Sequence, residues 1–187
     1  SEFSCLSPEK VYNADSFDWM NFGYDMDVTN FQYCTYKREI LNPFEPLFLE
    51  HQCYDDSILF IAPIIGCHRF VYYDFPVYSY LLGRPGQTAD PNVLIRRYKD
   101  KEKVKKQMIA LYLQHLDLPR GKKNKLDALM RTIIWRHYEL LMNLDTTKGK
   151  EETKAWYDYI GTVCPQYQQG WRLLLYRLLP YNTFKKL

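Results

Sequence analysis

The pattern of apolar residues changes between residues 83 and 91, and this change constrains the fold more than any other feature of the chain. Before it, aromatic and β-branched residues come in short runs, as they do in strands. Three runs predict strands, at 28–36, 69–74 and 77–82. Between the first two, residues 54–66 suit a buried helix, although Pro63 should kink it or end it early.

After the change, the pattern is helical. Asp90 is a good N-cap and Pro91 a good first helical residue, so a helix is expected from 92 to about 116. Apolar residues then recur at three- and four-residue steps, which is the spacing of one helix face. The further helices are expected over 125–143, 151–163 and from 165 to about 180.

These patterns predict an α+β protein that is mostly helical. Residues 1–89 would form a small α/β piece, and residues 90–187 a bundle of about four helices. The longest uncharged apolar stretch, 57–67, contains Pro and Gly and falls far short of the roughly 20 residues that span a bilayer. No transmembrane helix and no secretory signal are therefore expected.

The cysteines also favour a cytosolic protein. There are five of them, an odd number, and no two are spaced as C-x-x-C. This argues against a zinc ribbon or a disulfide framework. We expect reduced thiols, most of them buried.

The net charge of +3 hides an asymmetry between the two parts. Residues 1–90 hold 5 basic and 13 acidic side chains, whereas residues 91–187 hold 20 basic and 9 acidic ones. The basic part is suited to an anionic neighbour, such as a membrane surface, a phosphorylated substrate or nucleic acid. The alternative is that its helices simply expose basic faces to solvent. No recognised nucleic-acid-binding motif is present.

Ionisable residues are concentrated in segment 50–56, Glu-His-Gln-Cys-Tyr-Asp-Asp, directly before the apolar run. The helix dipole and free amides at a helix start stabilise carboxylates such as Asp55 and Asp56. A carboxylate held ionised there can accept a proton from a hydroxyl nucleophile. The alternative is that one of the pair only caps the helix.

Two other stretches could bind a ligand. Asp25-Met26-Asp27 is a D-x-D triplet that could hold a divalent metal, or it could lie in a solvated loop. The loop 83–88 contains Arg84, which can grip a phosphate, and Gln87, which can bond a sugar hydroxyl; the alternative is a plain glycine turn. The 17 tyrosines suit either sugar stacking or an aromatic core.

Three segments in order carry a more specific signal. They are Phe-Gln-Tyr-Cys-Thr-Tyr-Lys-Arg-Glu-Ile-Leu at 31–41, the segment 50–56, and Phe-Pro-Val-Tyr-Ser-Tyr-Leu-Leu-Gly-Arg-Pro-Gly-Gln-Thr at 75–88. In order and spacing they resemble the C-terminal half of the catalytic domain in bacterial family 2 glycosyltransferases. Those enzymes have a GT-A fold and build capsule, exopolysaccharide and cell-wall glycans.

The resemblance implies a role for several residues. Asp56 falls on the aspartate that acts as catalytic base toward the acceptor hydroxyl, whereas Asp55 stands where the family is usually not acidic. Arg84, Gly86 and Gln87 match the loop near the acceptor and the donor diphosphate. The candidate acceptor- or diphosphate-binding residues are therefore Asp55, Arg84, Gly86, Gln87, Tyr80 and His51.

The family's nucleotide-sugar-binding half, with its metal-binding D-x-D, is not found in these residues. Asp25-Met26-Asp27 ends only 29 residues before Asp56, too close to serve as that motif. We therefore expect the C-terminal fragment of a longer hexosyltransferase, inactive alone, with no cofactor of its own. Mg²⁺ or Mn²⁺ would act in the full-length enzyme.

The expected partners are the missing half, a nucleotide sugar and a glycan or lipid-linked acceptor, but not nucleic acid. The expected location is cytoplasmic, with peripheral binding of the basic helices to an anionic inner membrane face as an option. The alternative function is a helical interaction or membrane-surface docking module without catalysis.

Overall fold

Helices make up most of the described chain, and a two-stranded antiparallel sheet accompanies them, so the fold is mostly helical and of the α+β class. This computed structural model describes residues 5–22, 32, 34–79, 81, 87, 90–144 and 146–168. The strands are β1 (Val11–Asn13) and β2 (Arg69–Val71). The α-helices are α1 (Arg38–Leu41), α2 (Ala62–Gly66), α3 (Pro91–Arg96), α4 (Tyr98–Leu113), α5 (Arg120–Met142) and α6 (Thr146–Val163). The 3₁₀ helices are Trp19–Phe22, Asn42–Phe44, Asp55–Phe60 and Pro165–Tyr167.

The sheet pairs two short strands that lie far apart in sequence. Tyr12 of β1 lies opposite Phe70 of β2, and their rings stack with centroids 5.2 Å apart. The Ala14 N–H donates to the His68 C=O at 2.9 Å and continues the pairing. The strand predicted over 69–74 is confirmed over its first three residues. β1 was not predicted, because three residues carry no recognisable alternation.

The two other predicted strands are not found in the described residues. Residues 32 and 34–36 of the run 28–36 are not in a strand, and neither are residues 77–79 and 81 of the run 77–82. The rest of both runs lies outside the described residues. Phe75 and Val77 are exposed, so in the described part of this run the β-type side chains are not packed as they would be in a core strand.

The buried helix predicted over 54–66 is present as two pieces. A 3₁₀ helix covers Asp55–Phe60, and α2 begins at Ala62. Pro63 lies in the first turn of α2. Backbone N–H groups in a first turn make no helical hydrogen bond, so proline is tolerated there. The proline therefore starts the second piece, which confirms the expected interruption.

The helix predicted from 92 to 116 is also present as two pieces, α3 and α4. The Asp90 carboxylate accepts the Asn92 N–H at 2.8 Å, which confirms Asp90 as the N-cap, and Pro91 is the first helical residue. The break is at Arg97, which has φ −102° and ψ 20°. Neither Gly nor Pro stands there, so the sequence carries no signal for it.

The chain folds as two compact units, each assembled from separate stretches of sequence. The first consists of residues 1–85 and 99–132, and the second of residues 86–98 and 133–187. Helix α5 contributes to both, with residues 120–132 in the first unit and the remainder in the second. The first unit contains residues from both sides of the predicted boundary at 89/90. That boundary was drawn between an acceptor-side part and a helical region, and this division stays a prediction.

Helix α5 confirms the apolar face predicted for it but begins five residues earlier than expected, at Arg120 instead of 125. In the first unit, Leu126 and Leu129 are fully buried. Lys122 and Lys125 are fully buried as well. Because both residues are charged, the apolar pattern did not show that the first turns of α5 also face the core.

Lys122 is buried in the first unit and ends in an ion pair with a partly exposed carboxylate. Its side chain is 1% exposed, and its Nζ lies 2.6 Å from the Asp15 carboxylate. The same ammonium donates to the Cys67 C=O at 2.5 Å and to the Ile65 C=O at 3.4 Å. On its other oxygen, Asp15 accepts a bond from His68 Nδ1 at 2.8 Å. The bonds from Lys122 and His68 hold the pKa of Asp15 below its ordinary value.

In the second unit, α6 packs on the end of α5 through two buried rings. Trp156 and His137 meet edge to face with centroids 4.4 Å apart. The Tyr98 hydroxyl donates to Glu152 of α6 at 2.7 Å, and Lys148 lies 5.0 Å from the Tyr98 ring centroid. These contacts connect Tyr98, the first residue of α4, to α6 inside this unit.

The first prediction concerns the buried ion pair. Asp15→Asn leaves the Lys122 ammonium buried beside carbonyl oxygens alone, and we expect it to lower the free energy of unfolding by about 3 kcal/mol at pH 7. Because the pKa of Asp15 is lowered on folding, its contribution is present above the ordinary value of 3.8 and is lost as the pH falls through the lowered pKa. Urea titration at neutral and acid pH measures both effects.

The matched control is Asp158→Asn, which removes the exposed ion pair of Asp158 with Lys154, also 2.6 Å long. Exposed pairs contribute little, so this variant should remain close to the wild-type protein. If both substitutions lower the free energy of unfolding equally, burial of Lys122 does not contribute to the cost of losing its partner.

The second prediction concerns Gly121, in the first turn of α5. A Cβ on this residue would lie far inside van der Waals contact with the backbone carbonyl oxygen of Phe17. In a free helix, Gly→Ala stabilises by about 1 kcal/mol. Because the opposing atom belongs to the backbone, we expect Gly121→Ala to destabilise by about 1–3 kcal/mol instead. Thermal unfolding beside Asn124→Ala, an exposed site on the same helix, tests the sign.

Candidate functional site

The segment before the carboxylate pair is a tight turn. His51 has φ 56° and Tyr54 has φ 70°, both in the left-handed region that side chains other than glycine seldom adopt. The Tyr54 C=O accepts the Ser57 N–H at 3.0 Å and so starts the 3₁₀ helix Asp55–Phe60. Ile58 is buried and anchors this helix in the core of the first unit, which leaves the carboxylates at its first turn.

The two carboxylates have different surroundings. Asp55 Oδ1 accepts the backbone N–H of Asp56 at 3.1 Å, a local contact within the first turn that does not cap the helix, whose N-cap residue is Tyr54. Both side chains are half-buried. Neither carboxylate is the N-cap of this helix, so the capping alternative drawn from the sequence is not observed, and a role in proton transfer stays a prediction.

The electrostatics of Asp56 favour proton exchange. Burial raises the pKa of Asp56, and the negative charge of Asp55 raises it further. The backbone N–H of Ser57 and the ammonium of Lys101 oppose this, and the net pKa lies above the ordinary value. A half-buried carboxylate with a raised pKa is a better proton acceptor than an ordinary surface aspartate.

Helix α4 lies beside this segment. The Gln107 side chain donates to the Leu47 C=O at 2.8 Å, and Lys101 Nζ lies 4.6 Å from the centroid of the Tyr54 ring. Lys101 is half-buried. It is the residue of this site that the sequence analysis missed, because it stands among several lysines and 45 residues beyond Asp56, with no local signal to single it out.

One of the three quoted segments ends in a helix that contacts α2 in the first unit. Helix α1, at the end of segment 31–41, packs on α2, which follows segment 50–56. The approach is tight at Gly66, where an added Cβ would lie 2.7 Å from the Ile40 carbonyl oxygen. Helix α1 therefore packs on the helix that follows the Asp55–Phe60 helix in the chain.

The other predicted site residues remain predictions. His51 is exposed in the turn before Asp55. Gln87 is half-buried in the second unit, where its C=O accepts the Asp90 N–H at 2.9 Å. The remaining three, Tyr80, Arg84 and Gly86, lie outside the described residues.

The described ranges contain neither a cluster of metal ligands nor a membrane-spanning helix. No group of three or more His, Cys, Asp or Glu there could hold a metal ion, while Asp25 and Asp27 lie outside these ranges. No helix within the same ranges is long and apolar enough to cross a membrane. All five cysteines are free thiols, and two of them, Cys67 and Cys164, are buried.

The lysine-rich stretch of α4 is partly neutralised by its own helix. Glu102 accepts Lys99 at 2.9 Å and Lys106 at 2.6 Å. Although burial acts in the opposite direction, these two ammonium groups lower the pKa of Glu102. The basic surface expected from the sequence is therefore smaller than the count of lysines suggests.

Comparison with known proteins adds no relative: no family model, no curated protein and no solved structure matches this chain. The resemblance to glycosyltransferases stays a prediction that rests on the three quoted segments.

The third prediction concerns the coupling of the two carboxylates. Because the charge of Asp55 raises the pKa of Asp56, we expect Asp55→Asn to move the Asp56 titration midpoint to lower pH. The measurement is the carboxyl ¹³C chemical shift of Asp56 against pH. Asp117→Asn, which removes an exposed carboxylate beyond the far end of α4, is the control and should leave the midpoint in place. If the Asp56 midpoint is the same in Asp55→Asn as in the wild-type chain, the two carboxylates do not interact.

Proposed function

We propose that this chain is the acceptor-side and C-terminal part of an inverting family 2 glycosyltransferase. In this proposal the enzyme transfers a sugar from a nucleotide-sugar donor to a glycan or lipid-linked acceptor in cell-surface polysaccharide synthesis. The GT-A fold belongs to the proposal as well, since the small sheet and the helices of the first unit establish the α+β class alone.

One observation carries the proposal more than any other. The residue that the resemblance assigns as catalytic base, Asp56, is half-buried at a helix start, and burial beside a second carboxylate raises its pKa. A solvated loop aspartate would have neither property. The contact of α1 with α2 is consistent with the same assignment, because it joins the end of one quoted segment to the helix that follows another.

The proposed reaction follows from the carboxylate. Ionised Asp56 takes the proton from an acceptor hydroxyl, and the oxygen attacks the anomeric carbon of the donor as that proton leaves. A new bond forms between the acceptor oxygen and the anomeric carbon. The bond from that carbon to the diphosphate oxygen breaks, and its electron pair leaves with the nucleoside diphosphate. Attack from the opposite face inverts the anomeric configuration.

The donor side of the reaction is assigned elsewhere. In this proposal Mg²⁺ or Mn²⁺ acts in the full-length enzyme, on the nucleotide-sugar-binding half, as the resemblance implies. The chain alone is then inactive. Binding to an anionic membrane face through the basic helices, at the cytoplasmic side, would bring a lipid-linked acceptor within reach.

The proposal predicts what the gene encodes upstream of this chain. The reading frame upstream of residue 4 should encode a Rossmann-like half, with a strand followed by Asp-Asp and later a D-x-D. Sequencing the locus checks this without any protein. A frame that opens immediately upstream, with no such half, would contradict the proposal.

The fourth prediction tests the base. In the full-length enzyme that the proposal requires, Asp56→Asn should lower turnover by roughly 10²–10⁴-fold, because the amide cannot accept the proton. Folding should not suffer. Since the raised pKa means that ionised Asp56 opposes folding at neutral pH, the amide should leave stability at pH 7 unchanged or higher.

The measurement is transfer from a panel of nucleotide sugars to an acceptor extract, together with urea unfolding of the same variants. Asp117→Asn serves as the matched control, because it makes the same chemical change at an exposed position. Full turnover by a stable Asp56→Asn enzyme would remove Asp56 from the mechanism.

A further inference from the structure

We propose that Lys101 is a positioning residue of this site, whose ammonium lies over the Tyr54 ring, holds that turn against α4 and brings a positive charge to the turn that carries Asp56. Only the catalytic role of Lys101 rests on the proposed function. The contact and the charge effect are properties of the 187-residue chain and can be tested without turnover.

The contact of Lys101 with Tyr54 provides the geometry. The ammonium nitrogen lies 4.6 Å from the centroid of the Tyr54 ring, within the range where a cation is attracted by an aromatic face. Tyr54 has φ 70°, a conformation that surrounding contacts must maintain in a residue other than glycine. A cation from a neighbouring helix is one such contact, made immediately before the carboxylate pair.

Lys101 is distinguished from its neighbours on α4. Lys99 and Lys106 direct their ammonium groups to Glu102, on their own helix. Lys103 is exposed. Lys101 instead lies over the ring that precedes Asp55, so its charge acts on the turn and not on α4 alone.

The charged groups that act on Asp56 oppose one another. Asp55, on the same 3₁₀ helix, disfavours the ionised form of Asp56, as burial does. Lys101, from α4, favours it, together with the backbone N–H groups of Ser57 and Asp56 itself. Without Lys101, burial and the like charge would keep Asp56 protonated to higher pH, and a protonated carboxyl cannot act as a base.

The experiment is a titration of the Asp56 carboxyl ¹³C shift in the 187-residue chain. Lys101→Gln should move the midpoint to higher pH, while Lys101→Arg, which keeps the charge, should restore the wild-type midpoint. Lys103→Gln is the matched control and should have no effect. An unchanged midpoint in Lys101→Gln, or an equal rise in Lys103→Gln, overturns the inference.

A second measurement tests the contact itself. The ring current of Tyr54 should shift the Lys101 Hε resonances upfield, and Tyr54→Leu should abolish that shift while Tyr54→Phe retains it. Hε resonances at the positions of an exposed lysine in the wild-type chain would contradict the geometry. If Tyr54→Leu unfolds the chain, the rest of its spectrum will show it. The Hε shifts of Lys101 in the wild-type chain then still test the contact.

The last measurement connects the residue to catalysis. In the full-length enzyme, the acid limb of the kcat–pH profile should move to higher pH in Lys101→Gln and stay in place in Lys101→Arg. If Asp56→Asn retains turnover, the proposed function fails, while the titration still shows whether Lys101 controls Asp56. If the titration shows no effect of Lys101, this inference fails and Asp56 can remain the base.

Discussion

The buried ammonium of Lys122 holds together the parts of the first unit that matter for the site. It meets Asp15 in the loop after β1 and the carbonyl groups of Ile65 and Cys67 at the end of α2. An ammonium group with almost no exposure to solvent is stable only with such partners. The pair therefore fixes α5 against both the sheet and α2. Helix α2 directly follows the Asp55–Phe60 helix in the chain, so this anchor lies next to the element that carries the carboxylate pair.

The site itself is a balance of opposing electrostatic effects. Burial and the neighbouring Asp55 favour the protonated form of Asp56, whereas Lys101 and nearby backbone N–H groups favour the ionised form. Such a balance makes the pKa of Asp56 sensitive to small changes in its surroundings, which suits the general base that we propose. The opposite arrangement is seen at Asp15, where Lys122 and His68 lower the pKa and the carboxylate serves structure.

Several elements could be predicted because their signals are local. Asp90 and Pro91 mark a helix start by capping chemistry, and the structure confirms both. The three- and four-residue steps of α5 indicated its buried face, and Pro63 indicated the interruption before α2. The carboxylate pair at a helix start was likewise visible, because charge next to an apolar run is a feature of adjacent residues.

Sequence alone thus determined the class of the fold, most of the helices and the position of the Asp55–Asp56 pair, since each depends on residues within a few turns of one another. Tertiary structure decided the pairing of β1 with β2, the burial of Lys122 and the placement of Lys101 over Tyr54. Each of these joins residues more than 40 positions apart. Whether a lysine ends in water, beside a carboxylate or over a ring depends on what the folded chain brings to it, and spacing along the sequence does not contain that information.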